Sequence, residues 1–109
     1  MSSKTGVIEM YGSSYELRRF KALDAAPNVK SWTKRHRVMI PYVAEYRSHW
    51  YIPDILVEMN DGKMFLEEVK GYVRDQVAFD AKNKAAEALC ERRGWVFRIL
   101  FEKDIDIVL

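Results

Sequence analysis

The residues with the clearest chemical potential are Asp54, Glu68 and Lys70, two carboxylates and one amine. They occur in two short stretches, Ile-Pro-Asp at 52–54 and Glu-Val-Lys at 68–70. Hydrolysis of a phosphodiester requires a hard cation that polarises the phosphate and lowers the pKa of a water molecule, and Mg²⁺ is usually held by one or two carboxylates together with phosphate oxygens and waters. An ammonium group beside the cation can contact the phosphate or the attacking water. These residue types therefore predict a metal-binding, phosphate-facing site.

A predicted β-hairpin brings the two stretches together. Residues 51–59 form a compact apolar run, and residues 63–69 form a second strand-like run. Between them, an Asn-Asp-Gly sequence ending at Gly62 is a hairpin turn signal, because glycine can adopt a positive φ at little steric cost. We therefore expect an antiparallel pair with Asp54 and Glu68 on neighbouring strands.

Successive side chains of a strand point to opposite faces, which assigns the candidate residues to one surface. Glu68 and Lys70 are two positions apart and share a face, and antiparallel pairing can bring Asp54 beside Glu68. The peptide carbonyl of Val69 can add a further oxygen ligand for the metal. Glu67 has the opposite parity, so we expect it to face solvent or the second helix, and Glu68 is favoured as the ligand.

Two further elements are predicted before the hairpin. Apolar residues recur at helical spacing over residues 13–25, with Ser13 as a candidate N-cap and Glu16 as its partner in a capping box. Residues 29–42 alternate between apolar and basic side chains, which predicts a strand exposed on one face, and Pro41 limits its length.

A helix and a strand are predicted after the hairpin. Residues 75–93 carry an apolar stripe at spacings of three and four, and Gly94 stands where a C-terminal cap belongs. Residues 95–101 are rich in β-branched and aromatic side chains, and the helical crossover can lay them parallel to the preceding strand. Residues 102–109 are compatible with a short helix or an extended tail. The predicted fold is α/β (α+β), with a mixed central sheet flanked by helices in the order α-β-β-β-α-β.

Length and composition indicate one globular domain, residues 1–109. The chain has 109 residues with 49% apolar side chains, enough for a single core. Cys90 is the only cysteine, which excludes an internal disulfide and a zinc site of several thiolates. No run of about 18 apolar residues and no signal-peptide core occurs, so we expect no membrane segment and a cytoplasmic protein.

The charge distribution leaves two interpretations open. The formal net charge is only +2, but basic residues gather in the N-terminal half. Such clusters suit contacts with a nucleic-acid backbone, and they also suit an ordinary solvated face. The candidate DNA contacts are Arg18, Arg19, Lys34, Arg35 and Arg37, with Lys82 of the second helix as a candidate phosphate contact.

Several aromatic, histidine and cysteine residues carry weaker signals. His36 and His49 lack the partner spacing of a His-centred nuclease motif, so we expect them to be structural or solvated. Cys90 falls near the apolar stripe of the second helix and is expected to be buried and inert. Large aromatics such as Tyr51 most often fill the core of a small domain, and Trp50 is the best candidate for stacking on a base.

The sequence resembles the PD-(D/E)XK nuclease superfamily, whose restriction-endonuclease-like core has the element order described above. The resemblance is carried by residues 13–16, 38–42, 51–54 and 66–71. Within the superfamily, the sequence is most similar to two branches. One comprises TnsA-type subunits that cut transposon ends, and the other comprises phage-encoded junction-resolving endonucleases.

This resemblance implies hydrolysis of DNA phosphodiester bonds with Mg²⁺, for which Mn²⁺ can substitute. It also implies that Glu16 joins Asp54 and Glu68 near the metal, while Lys70 assists the water. A homodimer or a complex with a partner protein is expected, in the cytoplasm of the host cell if the protein is phage-encoded. No recognition helix or finger is evident, so structure-selective or partner-directed cutting is expected. The alternatives are a catalytically silent nucleic-acid-binding or assembly module with the same fold and a purely structural domain.

Overall fold

The structure, a computed structural model, describes residues 14–108. The predicted cap at Ser13 therefore lies outside the described residues. None of the described helices is long and apolar enough to cross a membrane. The elements of this part of the chain are α1 (Ser14–Ala25), β1 (Val29–Thr33), β2 (Ile40–Ala44), β3 (Arg47–Tyr51), β4 (Ile55–Met59), β5 (Met64–Val69), α2 (Gln76–Arg93), β6 (Val96–Leu100) and a 3-10 turn (Glu102–Asp104).

The central sheet has four strands in the order β1-β4-β5-β6. Strand β4 runs antiparallel to both β1 and β5, whereas β6 runs parallel to β5, so the sheet is mixed. The β4–β5 hairpin turns at Gly62, whose φ is 89°. Helix α2 separates β5 from β6 in the chain and supplies the crossover that parallel strands require. The predicted hairpin and the predicted parallel strand are both confirmed.

The prediction of one strand over residues 29–42 is wrong. Strand β1 ends at Thr33, and β2 begins only at Ile40 and pairs with β3 in a separate two-stranded sheet. The β2–β3 turn contains Glu45 and Tyr46 with φ of 53° and 63°. These left-handed conformations are usually adopted by Gly, Asn or Asp in hairpin turns, so the sequence carries no turn signal at this point.

The prediction of a strand over residues 51–59 is correct only for its second half. Tyr51 is the last residue of β3, and β4 begins at Ile55. Pro53 lies between them and has no backbone N–H for a strand ladder. Without the β2–β3 hairpin, the remaining order is α1-β1-β4-β5-α2-β6. The predicted core is therefore present, with the hairpin inserted between its first and second strands.

Apolar clusters cover both faces of the central sheet. On the α1 face, Ile55 of β4 packs with Phe20 of α1. On the α2 face, Leu56 packs against a cluster that contains Leu66 of β5. The alternation follows the two-residue period of a strand. Glu68 has the same parity as Leu66 and therefore points to the α2 face.

Helix α2 begins and ends where the sequence predicts. Asp75 is its N-cap, and the side chain accepts a hydrogen bond from the N–H of Ala78 at 3.0 Å. Gly94 is its C-cap with φ of 71°, a left-handed conformation that glycine adopts without a Cβ clash. These caps satisfy backbone groups at the two ends of the helix and fix where it begins and ends.

Glu67 is buried and binds two arginines. Its carboxylate accepts hydrogen bonds from Nε and Nη2 of Arg19 at 2.8 and 2.7 Å, and Nη2 of Arg98 lies 2.8 Å from Oε2. Arg19 also donates to the carbonyls of Ile105 and Ile107 at 2.9 and 2.8 Å. The side chains of Arg19 and Glu67 are 0% exposed. The expectation that Glu67 faces solvent or the second helix is therefore wrong, as is the prediction that Arg19 contacts DNA.

The position of α1 explains this arrangement. Glu67 points to the face opposite Glu68, and α1 packs on that face, so the carboxylate is removed from water. A buried carboxylate is costly unless it is paired and fully hydrogen-bonded. Arg19 projects from α1 and provides a bidentate partner, whose planar fork matches the geometry of a carboxylate. The arginine is thus used inside the protein instead of on its surface.

Candidate active site

Asp54 and Glu68 meet where β4 begins and β5 ends. Ile55 pairs with Glu67 in the β4–β5 ladder, so Asp54 and Glu68 occupy the next positions outward on the two chain segments. The Oδ2 of Asp54 accepts a hydrogen bond from the backbone N–H of Val69 at 2.8 Å. This bond fixes the aspartate carboxylate against β5. The two acidic residues of the predicted hairpin site are therefore brought together.

Glu68 is held by a phenol. The hydroxyl of Tyr51, at the end of β3, donates a hydrogen bond to Oε1 of Glu68 at 2.9 Å. Burial and the neighbouring Asp54 carboxylate raise the pKa of Glu68 to about 7, against the opposing effects of the Tyr51 hydrogen bond, Lys70 and Lys82. Without a bound cation, Glu68 is therefore partly protonated near neutral pH.

The Asp54 carboxyl experiences similar forces. Burial raises its pKa above the ordinary value, the hydrogen bond from the Val69 N–H lowers it, and the Glu16 carboxylate raises it. The ammonium groups of Lys34 and Lys70 also lower the pKa. The overall effect is a raised pKa, so Asp54 ionises less readily than an ordinary aspartate. An additional positive charge in the site would favour its ionisation.

The donor set fits a hard divalent cation. The carboxylates of Asp54 and Glu68 repel each other in a partly buried site, and a cation beside both of them would offset that repulsion. Within residues 14–108, no three carboxylate, imidazole or thiol side chains converge in a way that could hold a metal ion. Mg²⁺ suits a set of two carboxylates because it retains several waters and takes phosphate oxygens as further ligands.

Lys70 follows β5 and lies near both carboxylates. Its ammonium lowers the pKa values of Asp54 and Glu68, so it is within electrostatic reach of each. The Nζ atom is 6.0 Å from the centre of the Phe79 ring of α2. An open cavity of about 390 Å³ borders Lys70 and Arg74. This side of the site has the space and the positive charge that a phosphate group requires.

Glu16 reaches the site from the first turn of α1. Its Oε1 lies 2.9 Å from Nζ of Lys34, which follows β1. The pair is largely shielded, since 15% of the Glu16 side chain and 26% of the Lys34 side chain are exposed. Both groups change the pKa of Asp54, so they are close to the carboxylate pair. A role of Glu16 as a metal ligand remains a prediction.

The other basic residues predicted to contact DNA differ in their surroundings. Arg35 and Arg37 are exposed in the segment between β1 and β2. The Nζ of Lys82 in α2 lies 5.6 Å from the centre of the Tyr51 ring, near the site. Arg18 is ion-paired at 2.6 Å with an aspartate of the C-terminal segment. DNA contact by these residues remains a prediction.

Tyr51 and His36 support the site although neither was predicted to do so. Tyr51 was interpreted as a core or stacking aromatic, yet its phenol binds Glu68. The Nε2–H of His36 donates to the carbonyl of Pro53 at 2.7 Å, and Nδ1 accepts from the N–H of Val38 at 3.2 Å. Burial lowers the pKa of His36, which favours the neutral ring that this pattern needs. The only sequence signal for Tyr51 is its place three residues before the site aspartate.

The raised pKa of Glu68 predicts how the stability of the metal-free protein depends on pH. A carboxyl with a pKa of about 7 in the folded state and 4.5 as its ordinary value binds its proton more tightly when folded. Stability from this group therefore rises as the pH falls through about 7 towards 4.5. We expect the Glu68→Gln variant to melt at a higher temperature than wild type above neutral pH and to lose this pH dependence.

Thermal denaturation followed by circular dichroism, with EDTA present, measures this effect. Glu58→Gln is the matched control, because Glu58 lies on β4 and forms an exposed ion pair with Lys30 at 3.6 Å. The control should keep the pH profile of wild type. If Glu68→Gln and wild type show the same dependence on pH, the proposed environment of Glu68 is wrong.

Comparison with known proteins identifies one family. A family model described as "TnsA-like endonuclease N terminal" matches residues 26–102, about seven-tenths of the chain. The matched span contains Asp54, Glu68 and Lys70, whereas Glu16 lies before it. No curated protein and no solved structure shows a significant match.

Proposed function

The chain belongs to the TnsA-like endonuclease N-terminal family, and we propose that it is a metal-dependent endonuclease that hydrolyses phosphodiester bonds of DNA. The observation that carries this proposal is the half-buried carboxylate pair of Asp54 and Glu68 with Lys70 beside it. A protein that only binds DNA would gain nothing from two carboxylates that face a negatively charged backbone. With a cation bound, the same pair becomes a site for phosphate chemistry.

Each residue of the site has a defined task in this proposal. Asp54 and Glu68 would hold Mg²⁺, with the peptide carbonyl of Val69 as a further predicted oxygen donor. When bound, the ion supplies Lewis acidity towards the phosphate and lowers the pKa of a water. Lys70 neutralises charge on the phosphate and orients the attacking water with its ammonium group. Mn²⁺ can substitute because it prefers the same oxygen ligands.

The substrate is proposed to be selected by its structure or by a partner protein. Both described helices pack against strands, and the exposed cations Arg35 and Arg37, which lie between β1 and β2, suit contacts with phosphates and carry no sign of base recognition. A homodimer or a complex with another subunit would then position the cut. We place this activity in the cytoplasm, where the single thiol of Cys90 stays reduced.

A cleavage panel tests the proposed function. Purified protein is incubated with supercoiled plasmid, linear duplex, single-stranded DNA and a four-way junction, with Mg²⁺, Mn²⁺ or EDTA. We expect cleavage of at least one substrate with either metal and none with EDTA. Salt-sensitive DNA binding without cleavage of any substrate would instead indicate a silent binding module. Absence of both binding and cleavage would leave only a structural role.

A further inference from the structure

Lys34 forms an ion pair with Glu16 that lies within the candidate site. Lys34 follows β1, and its ammonium lies 2.9 Å from the Glu16 carboxylate and 5.8 Å from the centre of the Phe20 ring. Both partners are largely shielded from water, so the attraction between them is screened less than in a surface pair. The ammonium is therefore a fixed element of the site.

Lys34 also acts on Asp54. Its charge lowers the pKa of the Asp54 carboxyl, whereas the charge of Glu16 raises it. The ammonium thus stabilises two carboxylates that come from different elements of the fold. A cation held by Glu16 and Asp54 would have the same electrostatic role.

We propose that the Lys34 ammonium occupies the place of a second cation, so that the site binds a single divalent ion through Asp54 and Glu68. This inference rests on the proposed function and specifies how many ions that site takes. Glu16 then acts as a positioning residue: it holds Lys34, which in turn neutralises Asp54.

The charge balance of the site supports one ion. Three carboxylates and three ammonium groups interact in and around it: Glu16, Asp54, Glu68, Lys34, Lys70 and Lys82. With all six ionised, their charges cancel. One divalent cation then matches the double negative charge of a phosphodiester under attack by hydroxide, and a second ion would leave an excess of positive charge.

Counting bound Mn²⁺ tests this inference without reference to cleavage. Mn²⁺ is added stepwise to the purified protein, and the ion that remains free is measured by electron paramagnetic resonance. Isothermal titration calorimetry gives an independent count of the bound ions. We expect one Mn²⁺ per wild-type chain. In Lys34→Met the Glu16 carboxylate is released, and a second, weaker Mn²⁺ is expected to bind.

Two further variants make the result specific. Lys30→Met is the matched control, because Lys30 lies on β1 in an exposed ion pair with Glu58, and it should still bind one Mn²⁺. Glu16→Gln should lower the affinity for that ion by less than about tenfold. Loss of a group that directly orients a metal ligand costs about 10–100-fold, and Glu16 acts on the ion only through Lys34. The double variant Lys34→Met with Glu16→Gln should lose the second ion.

Each contrary result has its own meaning. Two Mn²⁺ ions in wild type, one ion in Lys34→Met, or a larger loss of affinity in Glu16→Gln would each overturn the assignment of Lys34 while leaving the proposed endonuclease intact. Absence of any bound Mn²⁺ would contradict both the inference and the proposed function. Circular dichroism spectra of all variants show whether the fold is kept.

Discussion

Replacing Lys70 with alanine is expected to lower the rate of DNA cleavage about 10²–10³-fold, the typical effect of removing one group that stabilises charge in a transition state. The Lys70 ammonium acts on both Asp54 and Glu68, and Lys70 also lines an open cavity together with Arg74. Its side chain is only partly buried and packs near Phe79, so the fold should be kept. Single-turnover cleavage with saturating protein separates the chemical step from DNA binding.

Lys63→Ala is the matched control for this experiment. Lys63 lies at the opposite end of the β4–β5 hairpin, its side chain is 73% exposed, and its Nζ is 3.7 Å from Asp61. The two variants lose the same charge at the two ends of one hairpin. Lys63→Ala should cut DNA at nearly the wild-type rate. A Lys70→Ala protein that cuts as fast as this control would remove Lys70 from the proposed mechanism.

The largest effect on stability is expected for Glu67→Gln. Glu67 neutralises Arg19 and lies 2.8 Å from Arg98, and the glutamate and Arg19 are fully buried. Removing one partner of a buried ion pair leaves an uncompensated charge and costs about 3–5 kcal/mol. Because a small domain is stabilised by only about 5–15 kcal/mol, the variant should be close to unfolding at 37 °C.

Chemical denaturation measures this loss, with Glu58→Gln as the control on the neighbouring strand. The Glu58–Lys30 pair is exposed, and its loss should cost less than about 1 kcal/mol. A second variant, Arg19→Met combined with Glu67→Met, removes both members of the buried pair and should be more stable than Glu67→Gln alone. Equal stability of Glu67→Gln and the Glu58→Gln control would show that the buried network contributes little.

The hairpin and the carboxylate pair could be predicted because they depend on local periodicity. The turn at Gly62 sets the pairing of β4 with β5, and the two-residue period then places Glu68 beside Asp54. Helix α2 was predictable for the same reason, since its caps at Asp75 and Gly94 carry their signal within a few residues. The family model covers these same elements.

The features that could not be predicted depend on contacts between distant residues. Strand β3 is exposed at its first four positions and so shows no alternation of apolar and polar side chains. Glu67 differs from Glu68 only in the face to which it points, and its burial depends on Arg19, which lies 48 residues earlier. Tyr51 joins the site because β3 ends beside β5, a placement that no local pattern encodes.

The hydrogen bonds from Arg19 to the carbonyls of Ile105 and Ile107 bear on the order of events during protein synthesis. Helix α1 leaves the ribosome long before these carbonyls have been made. Until then, docking of α1 would bury the guanidinium with acceptors missing, which costs free energy. Glu16 is carried by the same helix. Docking of α1 on the sheet, and with it the approach of Glu16 to the carboxylate pair, is therefore less favourable in a partly translated chain than in one that includes residue 107.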